Sequence, residues 1–310
     1  KTAVFTRRLT STERKARTAD SPEQALLIAL GETARVDLDR IGELLGQQGH
    51  DAAQTLQAAG LIIDTPQGWQ LPVVYLSGNV RVKLAEAEAA AKLDTRYQGA
   101  VDRLKAVIPA DLPAFKINIR LGASWVPREH VEAFIGSITN ASRGLGWTIT
   151  YTAQDARWGI EGSPGLHSSK FDTPDVGTKD LLLDALNDRR RTIKRTVTEG
   201  GVKRTVVDHQ ATALARQRKE DLHKAFRDWL LKDDQERSQW AVRTYNDIFN
   251  AYVEPKVDGK FLAFPGMAQY WREQIADHQR DAVARILLMG NTLLAHVVGA
   301  GKTLEMAAAA

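Results

Sequence analysis

The chain has 310 residues, room for two or more domains with cores of their own, and its 43% hydrophobic and 26% charged residues exclude a disordered or fibrous class. It has no cysteine, which excludes a disulfide framework and a thiolate metal site, and no apolar run approaches the ~20 residues that cross a bilayer. A formal net charge of +4 permits a nucleic-acid partner without requiring one, and with no signal peptide in view the expected location is cytoplasmic, with no membrane partner.

Residues 1–20 are polar and basic (Arg7, Arg8, Arg14, Lys15, Arg17) around Val4-Phe5. They read as a linker from a preceding domain, with a basic arm on DNA as the sharper alternative. A compact unit is expected over 21–73. Ser21 with Pro22 opens a first helix, Asp37 a second with Leu38, Ile41, Leu44 and Leu45 at helical spacing, and Asp51 a third that Gly60 ends. Leu61-Ile62-Ile63 and Trp69-Gln70-Leu71 then flank the turn Thr65-Pro66-Gln67-Gly68. Three short helices and a hairpin form the winged-helix pattern. The outward side of its third helix offers His50, Gln54, Thr55 and Gln57 but no Arg or Lys, so DNA contact and protein docking both stay open.

Over 74–178 a helix plus a small α/β insert is expected. A long helical stretch runs from Tyr75 to about Val107 and stops before Pro109 and Pro113. Phe115 to Leu121 alternates as a half-buried strand, Glu129 to Ile138 is helical, and Trp147 to Tyr151 is a second strand. Trp125 reads as a core anchor rather than a base-stacking platform. Residues 159–178 read as a loop, in which His167 has no assigned role.

Over 179–268 a basic hairpin and helical connector are expected. A helix from Thr178 turns Leu181, Leu182, Leu183 and Leu186 inward, and Gly200-Gly201 sits between β-branched runs as a hairpin turn. Arg189, Arg190, Arg191, Lys194, Arg195, Lys203 and Arg204 face one Glu in this stretch, the densest cationic patch of the chain. A charged, aggregation-resistant edge is the plain reading, and contact with the DNA backbone is the favoured one. Two amphipathic helices, His209 to about Leu231 and Asp234 to Val253, are expected to pack through Phe226, Trp229, Trp240, Tyr245, Phe249 and Tyr252.

Residues 269–310 carry the chemistry. A helix from about Tyr270 to Met289 ends at Gly290, and Thr292 to Ala295 reads as a buried strand. A loop with Gly299, Ala300 and Gly301 comes next, then Lys302, Thr303 and helix formers to Ala310. Strand, glycine loop, Lys-Thr and helix is a phosphate cradle: amides face the phosphates, Lys302 reaches the β/γ oxygens, and the Thr303 hydroxyl holds the metal, implying ATP and Mg2+. From Ala295 to Thr303 the loop fits Ala-x-x-x-Gly-x-Gly-Lys-Thr, which resembles motif I of superfamily-2 helicases, especially the Snf2-like group. Gln279 resembles the adenine-reading Gln of such motors, its amide offering a donor and an acceptor.

Five blocks then agree with one family: Tyr75-Leu-Ser-Gly-Asn-Val-Arg-x-Lys-Leu84, Arg120-Leu-Gly-Ala-Ser-Trp-Val-Pro127, Leu183-Asp-Ala-Leu-Asn-x-Arg189, Tyr245-Asn-x-x-Phe-Asn250, and His278-Gln279 with Gly290 to Thr303. The whole chain resembles large bacterial, phage and mobile-element proteins that join an adenine-N6 DNA methyltransferase to a Snf2-like helicase. Asp277 stands where that family usually has Pro, and no Asn/Asp-Pro-Pro-aromatic methyltransferase motif occurs. The resemblance implies a mixed α+β, multidomain segment that ends in the start of a RecA-like lobe. Its implied partners are double-stranded DNA, the methyltransferase and second helicase lobe of a longer chain, and possible partner subunits. S-adenosylmethionine would belong only to a methyltransferase outside this segment.

The chain opens on Lys1, has no Met before Met267, and stops within the helix after the loop. The expectation is therefore a piece of a longer protein, lacking a Walker-B pair and not hydrolysing ATP unaided. Two functions are in view: a segment of an ATP-dependent DNA translocase acting in phage or plasmid DNA modification, anti-restriction or defence, and a non-catalytic scaffold that docks other domains.

Overall fold

The computed structural model describes residues 18–139, 146–162, 166–199, 202–264 and 267–309. The basic stretch 1–17, the Gly200-Gly201 turn and Pro265-Gly266 lie outside the described residues. The rest is helix-rich, with small two-stranded antiparallel sheets, a mixed α+β chain. It divides into two compact units, 1–110 together with 249–310, and 111–248, so the 74–178 segment contributes to both.

The first unit opens with α1 (Pro22–Thr33), α2 (Leu38–Leu45) and α3 (Gly49–Ala58), then β1 (Ile63–Thr65) paired antiparallel with β2 (Gly68–Gln70). Ser21 Oγ accepts the Gln24 N–H (3.2 Å) and Asp37 accepts that of Arg40 (3.1 Å), so both expected caps form. The third does not: Gln48 takes the cap position of α3 without a side-chain bond, and Asp51 lies in the first turn, where its charge still suits the helix dipole. Leu26, Ile41, Leu44, Leu56 and Ile62 close a core between the helices and the hairpin. This is the winged-helix arrangement expected for 21–73.

The long helix expected up to Val107 is broken into α4 (Pro72–Tyr75), β3 (Gly78–Asn79), α5 (Val80–Ala91), a 3-10 turn (Thr95–Tyr97) and α6 (Gln98–Val107). Asn79 caps α5 by accepting the Val82 N–H (3.1 Å), and Asp94 caps the turn by accepting that of Arg96 (3.0 Å). The breaks let Val80 and Ala87 pack with Ala100, Val101 and Leu104. Burial of that seam outweighs the helix propensity of the Ala-Glu run.

In the second unit Ile117, Ile119 and Leu121 are buried while Asn118 and Arg120 are exposed, as the alternation predicts, yet no strand forms. The Leu121 N–H donates instead to His223 Nδ1 (3.2 Å), and Phe115 is 84% exposed. Helix α7 (Arg128–Ile138) comes next, then β4 (Trp147–Thr152) pairs antiparallel with β5 (Arg157–Gly162). The start of the stretch expected to be loop, Gly159 to Gly162, thus belongs to a strand whose Trp158 and Ile160 point inward. His167 pairs with Asp172. Helix α8 (Thr178–Leu186) buries Leu181, Leu182 and Leu186. Strands β6 (Lys194–Glu199) and β7 (Val202–Val207) form the expected antiparallel ribbon, with Lys194 opposite Val207 and Val197 opposite Arg204.

Helix α9 (His209–Leu231) and α10 (Gln235–Phe249) as far as Ile248 complete this unit around Phe134, Phe171, Leu222 and Phe226. Trp125 packs on Trp240 and Tyr245, with ring centroids 6.1 and 6.0 Å away, and is the core anchor expected. Phe249 and Tyr252, expected in the same seam, are exposed: their side chains lie where α10 gives way to β8 (Tyr252–Val253).

The chain then returns to the first unit, where β8 pairs with β3. The single helix expected from Tyr270 to Met289 is two, α11 (Gln269–Gln274) and α12 (Asp277–Met289), because Ile275 turns extended to bury itself with Phe264 and Val283. Thr292 to Ala295 is neither a strand nor buried. Leu293 is 89% exposed, and no described residue runs alongside to supply ladder hydrogen bonds. Helix α13 (Lys302–Ala309) forms where the helix formers predict it.

Candidate functional site

The phosphate-type loop is organised by α12. Gln279 is the third residue of that helix, and its Oε1 accepts the Ala276 N–H (3.0 Å), closing the helix start. Its Nε2 donates to the Ala300 carbonyl (2.9 Å), so one amide joins the helix to the loop. Both contacts fix which end of the amide is oxygen. Asp277, the departure from the family pattern, is the first residue of α12; Pro and an acidic residue both suit that position, and the helix starts in place.

Within the loop Gly299 and Gly301 have φ of 88° and 87°, a conformation costly for any residue with a Cβ. At Gly301 a Cβ would also come within 2.1 Å of Gln279 Nε2. The Gly301→Ala variant is expected to lose the Gln279–Ala300 bond, with faster amide exchange at Ala276 and a destabilisation of about 1–2 kcal/mol. Unchanged exchange at Ala276 would show that Gln279 does not hold the helix start.

Lys302 folds back over the loop, its Nζ donating to the carbonyls of His296 (2.9 Å) and Val297 (3.0 Å). Thr303 is exposed at the first turn of α13. His296 stands where the plain eight-residue loop would have its first glycine, and its Nδ1 meets Oε1 of the fully buried Glu305 (2.9 Å), tying loop start to helix. Glu305 Oε2 is buried without a hydrogen-bond partner. Neither residue stands out as a site residue in the sequence; the only signal is a His in a glycine position. The residue types fit a phosphate with its metal: two glycines in the left-handed region, a lysine at the loop and an exposed threonine hydroxyl. The lysine is drawn onto its own backbone. Among the described residues no group of three or more His, Asp or Glu side chains could hold a metal by itself.

The cationic residues separate into two sets. Arg191 is tied to the buried Asp184 (Nε to Oδ2, 2.5 Å), and Arg195 to Asp208 (2.7 Å) and Asp175 (3.3 Å), so both brace the fold. Arg189, Arg190, Lys194, Lys203 and Arg204 are exposed, with no ion pair among the described residues. Lys194, Thr196, Thr198, Lys203, Thr205 and Val207 share one face of the β6–β7 ribbon by register, and Arg195, Val197, Arg204 and Val206 share the other. Its described side chains are exposed, with Val197 and Val206 on the other face 37% and 43% open.

On the winged helix, the open side of α3 carries no cation and one carboxylate, the exposed Asp51. Gln54 Nε2 and His50 Nε2 lie 3.0 Å apart, and Thr55 Oγ1 donates to the Asp51 carbonyl (2.9 Å). No described helix is long and apolar enough to cross a membrane.

Residues 120–251 match a family described as a domain of unknown function (DUF8437), a span close to that of the second unit. No curated protein and no solved structure matches the chain. Residues 18–70 match a family described as a probable helicase, winged helix domain, the same span in which three helices and a hairpin close one core.

Proposed function

We propose that the chain is part of an ATP-dependent duplex-DNA translocase. In this reading the Ala295–Thr303 loop takes the nucleotide phosphates, and the β6–β7 ribbon contacts duplex DNA. The observation that carries the reading is the Gln279 amide bonded to the Ala300 carbonyl. A helix-borne Gln beside a Gly-x-Gly-Lys-Thr loop is the juxtaposition a nucleotide motor uses to read a base and grip phosphates with one element. When bound, Mg2+ would neutralise phosphate charge, with Thr303 as its protein ligand and Lys302 on the phosphate oxygens. A two-stranded ribbon with Lys and Thr on one face has the width and donors for a DNA major groove. Fusion to an adenine-N6 methyltransferase, and a role in DNA modification, anti-restriction or defence, rest on the family resemblance alone.

The test is binding of ATP with Mg2+ to the chain and to its Lys302→Ala and Gln279→Ala variants. Loss of one charge-assisted phosphate contact is expected to weaken binding about 10- to 100-fold in Lys302→Ala. Equal binding would sink the nucleotide reading. Gln279→Ala separates two roles: a base reader loses preference for ATP over GTP, whereas a loop brace weakens both alike.

A scaffold role is favoured for one part, the winged helix. Its α3 presents His50, Asp51, Gln54 and Gln57 without a cation, a surface suited to a polar protein partner rather than to phosphates.

A further inference from the structure

Helix α8 ends at Leu186; two residues on, Asp188 takes a left-handed backbone (φ 45°), and the chain reverses as the Arg189 N–H donates to the Asp184 carbonyl (2.8 Å). The turn brings Arg189, Arg190 and Arg191 to the flank of α9, where with Arg216 and Lys219 they ring a hollow of about 340 Å³ floored by Leu181 and Ala215. Two carboxylates also reach the hollow, and each has a cation of its own. Asp184 is held by Arg191, and Glu220 by Arg120 (2.9 Å). The buried Lys219 is tied to Asp188 (2.9 Å) and donates to the Arg189 carbonyl (3.1 Å). Arg189, Arg190 and Arg216 have no carboxylate within ion-pairing distance among the described residues. Three guanidinium groups around one hollow repel each other until an anion joins them, and their planar forks match phosphate oxygens.

The place of the hollow says which phosphate. Arg191 is three residues from Lys194, at most about 10 Å of extended chain from the start of the ribbon. The ribbon's root is fixed to α9: Thr212 Oγ1 accepts the Ile193 N–H (3.0 Å), and the Asp208 N–H donates to the Ile193 carbonyl (2.9 Å). Arg216 lies one helical turn after Thr212, on the same face. Hollow and ribbon root are therefore one block, facing one stretch of any duplex the ribbon engages.

We infer that this hollow is a phosphate pocket that grips a backbone phosphate of bound DNA through Arg189, Arg190 and Arg216, with Arg191 and Lys219 as fixed cations that shape it. The inference rests on the ribbon being a duplex contact. Neither Arg216 nor Lys219 stands out in the sequence; only α9 brings them to the arginine run.

The test is duplex-DNA binding by the full chain across a salt series. It compares the unaltered chain, Arg216→Gln, Arg216→Lys, and a ribbon variant carrying Lys194→Gln, Lys203→Gln and Arg204→Gln. Arg216 is exposed on a helix and Gln is a good helix former, so the fold is expected to persist. Each lost phosphate contact lowers the salt slope by about 0.9. Arg216→Gln should lower it by about that amount, Arg216→Lys should restore it, and inorganic phosphate at constant ionic strength should compete less well against Arg216→Gln. A slope unchanged in Arg216→Gln but flattened in the ribbon variant would overturn the pocket and leave the duplex reading intact. No duplex binding by the unaltered chain would overturn both; a melting temperature raised by inorganic phosphate, and not raised in Arg216→Gln, would then mark a free-phosphate site instead.

Discussion

Replacing Gly122 by alanine is expected to destabilise the 111–248 unit by about 4 kcal/mol, through two independent costs. The residue has φ of 96°, outside the range an alanine adopts without strain. A Cβ there would also lie 2.1 Å from the Leu186 carbonyl oxygen and 2.7 Å from its carbon, at the end of α8. Those are backbone atoms, and they cannot rotate away. The Trp158 Nε1–H donates to the Gly122 carbonyl (2.9 Å), and Asn187 brackets Trp158 by accepting its N–H (2.9 Å) and donating to its carbonyl (3.0 Å). Moving Gly122 therefore disturbs β5 and the end of α8 together. Denaturant unfolding followed by tryptophan fluorescence measures this, and a loss under about 1 kcal/mol would show that the turn can shift.

The second large effect is an acid transition governed by His223. The side chain is 5% exposed; its Nδ1 accepts the Leu121 N–H, so the proton sits on Nε2, which is buried without a partner. Burial, with the Arg120 and Lys219 charges adding to it and those of Glu220 and Asp188 opposing, pushes the imidazole down to about 4 from 6.5. A lowered histidine means that the unfolded chain takes up the proton first. Stability is thus complete above about pH 6.5 and falls as pH drops toward 4, by about 3 kcal/mol in all. A His223→Gln variant keeps an acceptor for Leu121 but does not titrate, so its stability should be flat across that window. The same slope in both proteins would assign the acid sensitivity to other groups.

Helix starts, the winged-helix core and the basic ribbon are legible in the sequence because each is set locally: Ser21 and Asp37 cap the helices that begin beside them, and Gly200-Gly201 between β-branched runs admits little but a hairpin. The features that misled are set at a distance. Ile117 to Leu121 alternates as a strand does, but its neighbour is a helix carrying His223 rather than another strand. Thr292 to Ala295 has a strand's composition, yet pairing is a property of two segments, and composition describes one. At the candidate loop the glycines, Lys302 and Thr303 can be read from their order. The His296–Glu305 pair cannot, because a buried carboxylate looks like any exposed one along a helix. Arg216 belongs with the arginine run only once α9 is in place.

Lys302 gives the loop a threshold. Its ammonium already has two carbonyl acceptors in His296 and Val297, and any phosphate must outbid both. A ligand then meets a binding-competent form present only as a fraction of molecules, and its measured affinity is its intrinsic affinity scaled by that fraction. Whatever loosens the lysine beforehand raises the apparent affinity without touching the ligand. Under the proposed nucleotide reading, a protein or DNA contact that drew the loop open would act as a gain control on nucleotide uptake, and nucleotide would strengthen that contact by the same factor.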